Sequence, residues 1–172
     1  LDPASLRAAF EGQDRVFRLA AIISIVGDPT GEVWRVNVHG PRNAATVAFE
    51  CGGGRFVHCS SVHSFDLERC GPSLDESGLP TTHPDAPAYD RSKRAGEEAV
   101  RLVVQKGLDA VVVNPTGIIG PDDRGPSRMG ETVLQFMTRK IPVGITGQFD
   151  FVDVRDVVEG LIAAGDRGRT GE

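Results

Sequence analysis

Apolar positions along the chain keep two rhythms, short runs dense in β-branched residues and longer stretches repeating every three to four residues. That alternation is the pattern of βαβ units around a parallel sheet. Asp2-Pro3 opens the first helix, an acidic cap ahead of a proline suited to the first turn, and the helix stops between Phe10 and Gly12. A strand is predicted over Val16–Ala21 and a turn over Asp28-Pro29-Thr30-Gly31. From Glu32 to about Glu50 apolar residues return at helical spacing through Trp34, Val38, Pro41, Ala45, Ala48 and Phe49. Cys51 to Gly54 ends that helix, and Arg55–Cys59 forms the next strand, with Ser60 and Ser61 at its carboxyl end. Leu67 to Pro87 is loop, and connections of that length often carry function. Helix follows over Ala88–Gln105, closed by Lys106-Gly107. The rest reads as strand Asp109–Val113, loop Asn114–Pro126, helix Glu131–Arg139, strand Phe149–Val152 and helix Arg155–Ala164. The expected fold is α/β, a twisted parallel sheet with helices on both faces, in a single domain over residues 1–172.

Composition narrows the functions. A net charge of −5 without a basic cluster argues against nucleic acid as a partner. No apolar run approaches the roughly 20 residues of a membrane helix. Three cysteines, an odd number without metal-ligand spacing, point to a reducing compartment, the cytoplasm. His39 and His58 do not combine with His63 and His83 into ligand spacing, so no metal site is expected. His63 and His83 flank the long loop and read as surface or turn residues, and Trp34 as packing on its helix.

The chemistry concentrates at Tyr89-Asp-Arg-Ser-Lys93. Four residues are about one helical turn, so both side chains leave the same face. A free phenol with a pKa near about 10 is a poor acid at neutral pH, and an ammonium beside it stabilises the phenolate. On spacing alone, a working pair and an accidental match stand level. Ser60-Ser61 changes that, because ligands of open α/β sheets bind beyond the carboxyl ends of the strands, where a hydroxyl can donate to a carbonyl gaining charge.

These segments resemble the extended short-chain dehydrogenase/reductases, the NAD-dependent epimerase/dehydratase group. Leu19-Ala20-Ala21, Val36-Asn37-Val38-His39-Gly40, Ser60-Ser61, Tyr89-x-x-x-Lys93 with Glu97 one turn later, and Phe151-Val-Asp-Val-Arg-Asp156 match its motifs in order. The resemblance implies a Rossmann-like domain that uses NADP or NAD on a small carbonyl or alcohol substrate. Tyr89 would donate or accept the proton, Lys93 would hold the nicotinamide ribose, and Ser61 would orient the carbonyl. Asn37 would support the lysine through water or shape its helix, since Pro41 cannot donate to the Asn37 carbonyl. Leu19, Ala20, Ala21, Ser60, Tyr89, Lys93, Pro115, Thr116 and Gly117 would meet the cofactor. Relatives commonly pair the Asn37 and Tyr89 helices across a two-fold axis, which implies a homodimer.

Departures from the pattern suggest a branch. Gly117 and Ile119 stand where sugar-nucleotide enzymes carry Asn and Tyr, and Val62 follows Ser61 where dehydratases place an acid. Asn114-Pro-Thr-Gly-Ile-Ile-Gly-Pro121 is similar instead to dihydroflavonol 4-reductase-like proteins, whose substrates are ketones or alcohols on apolar or ring-bearing bodies. The Gly-x-x-Gly-x-x-Gly fingerprint is not in these 172 residues. The expectation is therefore the catalytic middle of a longer reductase, lacking the N-terminal βαβαβ half and most of the C-terminal substrate region. A sugar epimerase and a truncated non-catalytic binding protein remain as alternatives.

Overall fold

The computed structural model describes residues 2–52, 54–71, 73–142, 144, 147 and 149–172. Gly53 in the expected helix stop, Pro72 in the long loop and Gln148 ahead of the last strand lie outside them.

Helix α1 (Pro3–Phe10) starts where expected, with the Asp2 carboxylate accepting from the Ala4 and Ser5 N–H groups at 3.2 and 3.3 Å. Strands β1 (Arg15–Arg18), β2 (Arg55–Cys59) and β3 (Ala110–Val113) form a parallel sheet in that order. Its register sets Val16, Phe56 and Ala110 side by side on one face. There they pack on Ala44, Ala45 and Ala48 of α3 (Gly40–Glu50) and Val100 and Val103 of α4 (Ala88–Val104). The opposite face carries Val57, covered by Val157 and Leu161 of α6 (Val154–Arg167). Helices thus cover both faces, as the apolar rhythm requires.

The long helix over residues 32–50 is not uniform. It begins as α2 (Glu32–Trp34), widens through a π-helical stretch at Arg35–His39, and continues as α3. Gly40 N–H reaches five residues back to the Arg35 carbonyl, and Pro41 has no N–H to offer the Asn37 carbonyl. The wide turn therefore sits where the proline interrupts the ladder. Val33 beside it is buried, whereas Trp34 is exposed and belongs to no core.

Several boundaries differ from expectation. β1 ends at Arg18, not Ala21; beyond that stretch Ile22 N–H donates to Asn37 Oδ1 and Asn37 Nδ2 donates to the Ile22 carbonyl, both at 2.9 Å. Within the expected loop 114–126 lies a short strand, β4 (Gly117–Ile119), parallel to β5 (Phe151–Asp153). Helix α5 (Arg128–Met137) begins earlier than predicted, capped by Ser127 Oγ accepting from Gly130 N–H at 3.1 Å. The long loop is closed at its base by a Phe65–Pro80 bridge and by Asp66 N–H donating to the Leu79 carbonyl at 2.8 Å.

Candidate active site

β2 delivers Ser60 and Ser61, both buried, at the carboxyl edge of the sheet. Ser61 is extended, and its Oγ accepts from His63 N–H at 3.3 Å, starting a single 3-10 turn at Val62–Ser64. α4 begins immediately after Pro87 and carries Tyr89 and Lys93 one turn apart toward this edge. The Ser61 hydroxyl stands near enough to Tyr89 to pull its phenol pKa down. Lys93 is 4% exposed, and its Nζ lies 6.0 Å from the Tyr89 ring centroid and donates to the Cys59 carbonyl at 3.4 Å. The fold thus brings together the three side chains that the sequence nominated from two segments about 30 residues apart.

Asn37 sits in the same layer with a different task. Its Nδ2 donates to Ser92 Oγ at 3.0 Å as well as to Ile22, and Ser92 Oγ donates to the Tyr89 carbonyl at 2.6 Å. Both amide hydrogens and the amide oxygen are therefore engaged. The Asn37 side chain pins the Leu19–Ile22 segment to the first turn of α4.

A second network escaped the sequence. Asn114, just past β3, donates through Nδ2 to the Ser61 carbonyl at 3.0 Å, to Ser64 Oγ at 2.9 Å and to the carboxylate of Glu97. Glu97 is almost wholly buried, with Arg94 at 3.7 Å as its cation. Asn114 thus fixes the backbone that presents Ser61. Its only sequence signal was its place beside Pro115-Thr-Gly117, and Glu97 was legible as the acidic position one turn after Lys93.

The electrostatics correct one expectation. The Tyr89 phenol is raised, not lowered: burial pushes it up, the Ser61 hydroxyl pulls it back, and Asp90 and Cys59 push it up again. The Lys93 ammonium donates to the Cys59 carbonyl. Burial lowers Lys93 itself to about 8, with Arg18 adding to the fall while Cys59 and Glu97 oppose it. Arg18, paired in register with His58, is buried with its guanidinium on the Val36 carbonyl at 2.8 Å and falls to about 10. Burial, then Arg18 and Lys93, hold His58 far below the usual imidazole range.

The remaining nominated residues line the same edge. Leu19, Ala20 and Ala21 are exposed just beyond β1. Pro115 and Thr116 follow β3, and Gly117 opens β4. Among the described residues, buried Ser60 Oγ has no hydrogen-bond partner and Lys93 Nζ has one long bond. Small exposed residues flanking unspent donors fit a polar, planar group laid across the strand ends. Beside this edge opens a cleft of about 1050 Å³ whose walls include Val62, His63, Phe65, Leu67, Asn114 and Thr116.

A parallel sheet with helices on both faces, and Ser61, Tyr89 and Lys93 gathered at its carboxyl edge, is a Rossmann-like α/β arrangement. Residues 1–172 match the model of the NAD dependent epimerase/dehydratase family, and the chain belongs to that family. It is 37% identical over 171 residues to sterol demethylase protein B of Methylococcus capsulatus, covering 99% of this chain and 52% of that protein. It is 34% identical over 170 residues to the "Putative dihydroflavonol 4-reductase" of Synechocystis, covering 99% of this chain and 50% of that protein. The crystal structure of gox2253 superposes with a TM-score of 0.89 at 31% identity, covering 99% of this chain and 52% of the other. The chain spans about half the length of the curated relatives it matches.

Proposed function

We propose that this chain carries the proton-transfer half of an NAD(P)-dependent oxidoreductase of the dihydroflavonol 4-reductase-like type, acting on a ketone or the matching secondary alcohol. The observation that carries the reading is the convergence of buried Ser61, Tyr89 and buried Lys93 at the carboxyl edge of the sheet, with Lys93 Nζ 6.0 Å from the Tyr89 ring centroid one turn further along the same helix. The family points to a nicotinamide cofactor, NADP or NAD, and the unspent donors of Ser60 and Lys93 beside Leu19–Ala21 and Pro115–Gly117 are the residues that would hold it. When bound, that group supplies or accepts the hydride.

The residues of this chain then divide the rest. Ser61 donates its hydroxyl hydrogen to the carbonyl oxygen and holds it against Tyr89. As hydride reaches the carbonyl carbon, Tyr89 Oη passes its proton to that oxygen, leaving an alcohol and a phenolate. The Lys93 ammonium stabilises the phenolate in a site where low dielectric strengthens the attraction. Oxidation runs the same transfers backwards. Buried Glu97 and Asn114 keep the Ser61 backbone in place, and Asn37 keeps the Tyr89 turn in place. Three free thiols among the described residues suit the cytoplasm, and the helices carrying Asn37 and Tyr89 are the elements we assign to a homodimer interface.

Calorimetric titration with NADPH and with NADH tests the reading. Binding of either, weakened at least tenfold by Lys93→Met, supports it. No binding of either at millimolar concentration contradicts it and favours a non-catalytic protein.

A further inference from the structure

Arg18 is the last residue of β1, immediately before Leu19-Ala20-Ala21, and only 9% of it is exposed. Its Nη2 donates at 2.8 Å to the carbonyl of Val36, which precedes Asn37 in the widened turn. Burial and the Cys59 thiol are what act on the guanidinium, and among the described residues no carboxylate joins them. Taking a guanidinium out of water without an anion is costly, and groups held in that condition gather at functional sites.

The group it stands against is Lys93. Parallel pairing sets Arg18 beside His58, on strands about 5 Å apart. Lys93 Nζ donates to the carbonyl of Cys59, the next residue of β2, at 3.4 Å. The guanidinium and the ammonium therefore meet the same two-residue stretch of β2, one from the neighbouring strand and one from α4. His58 is 2% exposed, and its Nδ1 has no hydrogen-bond partner among the described residues. Held far below the usual imidazole range, it is neutral and adds no third charge.

We propose that Arg18 is a positioning residue of the proton-transfer site, a fixed second cation that acts on Lys93 through the protein interior and sets the pH up to which Lys93 stays charged. The proposal takes the role of Lys93 from the reductase reading; the placing of the two cations comes from the fold. The groups that face Lys93 are Arg18 from β1, His58 and Cys59 from β2, and Tyr89 and Glu97 from α4. Like charges in a low-dielectric interior weaken each other's hold on a proton. Arg18 falls only to about 10, and burial raises both the Tyr89 phenol and the Cys59 thiol. Lys93, at about 8, is thus the first of these four to change charge as the pH rises past neutrality. Once it does, the phenolate of Tyr89 has no counter-ion. Arg18 thereby sets the alkaline limit of the reaction.

Titration of the lysine ε-13C signals of the full chain, in the wild type, Arg18→Gln and Arg18→Met, tests this without any turnover. The sequence has three lysines, and the Lys93 signal is the one lost in Lys93→Met. Neither replacement carries charge, but Gln keeps an N–H for the Val36 carbonyl and Met does not. Lys93 is expected to titrate at about pH 8 in the wild type. In both variants it should hold its proton at least about threefold more tightly. No change in Arg18→Gln overturns the proposal, and a change confined to Arg18→Met leaves Arg18 as a tie to the turn and nothing more. Arg18→Gln decides alone if Arg18→Met does not fold. With NADPH and acetophenone, the alkaline fall of kcat should move upward in Arg18→Gln by the same factor as the Lys93 titration. A fall that stays in place while Lys93 moves overturns the link to the reaction. No turnover by the wild type contradicts the reductase reading instead, and the lysine titration still decides whether Arg18 acts on Lys93.

Discussion

Gly96 on α4 faces the main-chain carbonyl of Asn37 so closely that a Cβ at position 96 would lie 2.2 Å from the oxygen and 3.3 Å from Pro41 Cγ. Helix α4 thus packs directly on the widened turn of its neighbour, at the carbonyl that Pro41 cannot satisfy. The contact lies one turn below Lys93 and two turns below Tyr89. It sets how far both side chains stand from the strand ends.

Gly96→Ala is expected to force the two helices apart. Overpacking of this kind costs about 1–3 kcal/mol. Thermal denaturation should show the loss, and the phenol absorbance of Tyr89, the one tyrosine in the sequence, should shift with its surroundings. Unchanged stability would show that α4 has room to slide.

Asn37→Ala should loosen the Leu19–Ile22 segment. Ile22 would lose both backbone partners at once, and Ser92 its donor. Each unsatisfied buried group costs about 1–3 kcal/mol. Hydrogen exchange at the Ile22 amide is the specific check: it should speed up by more than the drop in global stability explains.

Asn114→Ala should leave the buried Glu97 carboxylate with Arg94 alone at 3.7 Å. Removing one partner of such a pair is expected to cost about 2–4 kcal/mol. Asn114→Ala combined with Glu97→Leu should cost less than the sum of the single changes, because the stranded charge is gone. Additive losses by urea denaturation would break the network apart on paper.

Lys93 carries a stability cost with a definite pH signature. Its folded pKa of about 8 lies below the ordinary 10.5, so between those values the folded chain binds fewer protons than the unfolded one. Stability from this group therefore rises with pH from about 8 to about 10, and the full cost is present below 8. Lys93→Met should stabilise the protein at pH 7 by on the order of 1–3 kcal/mol and flatten that rise. Urea denaturation of both proteins at pH 7 and 9.5 gives the comparison; a gap that does not narrow at the higher pH speaks against it.

Much of this was legible because it is local. Asp2-Pro3, Tyr89-x-x-x-Lys93 and the Val-Val-Val of β3 declare themselves by spacing a few residues long, and their elements form where expected. What failed was not local. β4 is three residues long, opens on a glycine, and exists only because Phe151–Asp153 lies beside it 34 residues on. β1 stops short of Ala21, and a side chain 15 residues away holds Ile22 just beyond it. One-turn spacing correctly put Lys93 on the Tyr89 face but could not say where Nζ would point, and the Cys59 carbonyl took it. The pairings of Asn114 with Glu97 and of His63 with Asp90 likewise depend on how α4 docks on the strand ends, which no periodicity encodes.

The claim that Tyr89 is the proton donor of a hydride transfer is tested most directly by Tyr89→Phe, measured for turnover and for cofactor affinity in the same preparation. With NADPH and a simple ketone such as acetophenone, kcat should fall at least about 100-fold, the range expected for removing a general acid, while the NADPH Kd stays within about threefold. A kcat within a few-fold of wild type would contradict the account.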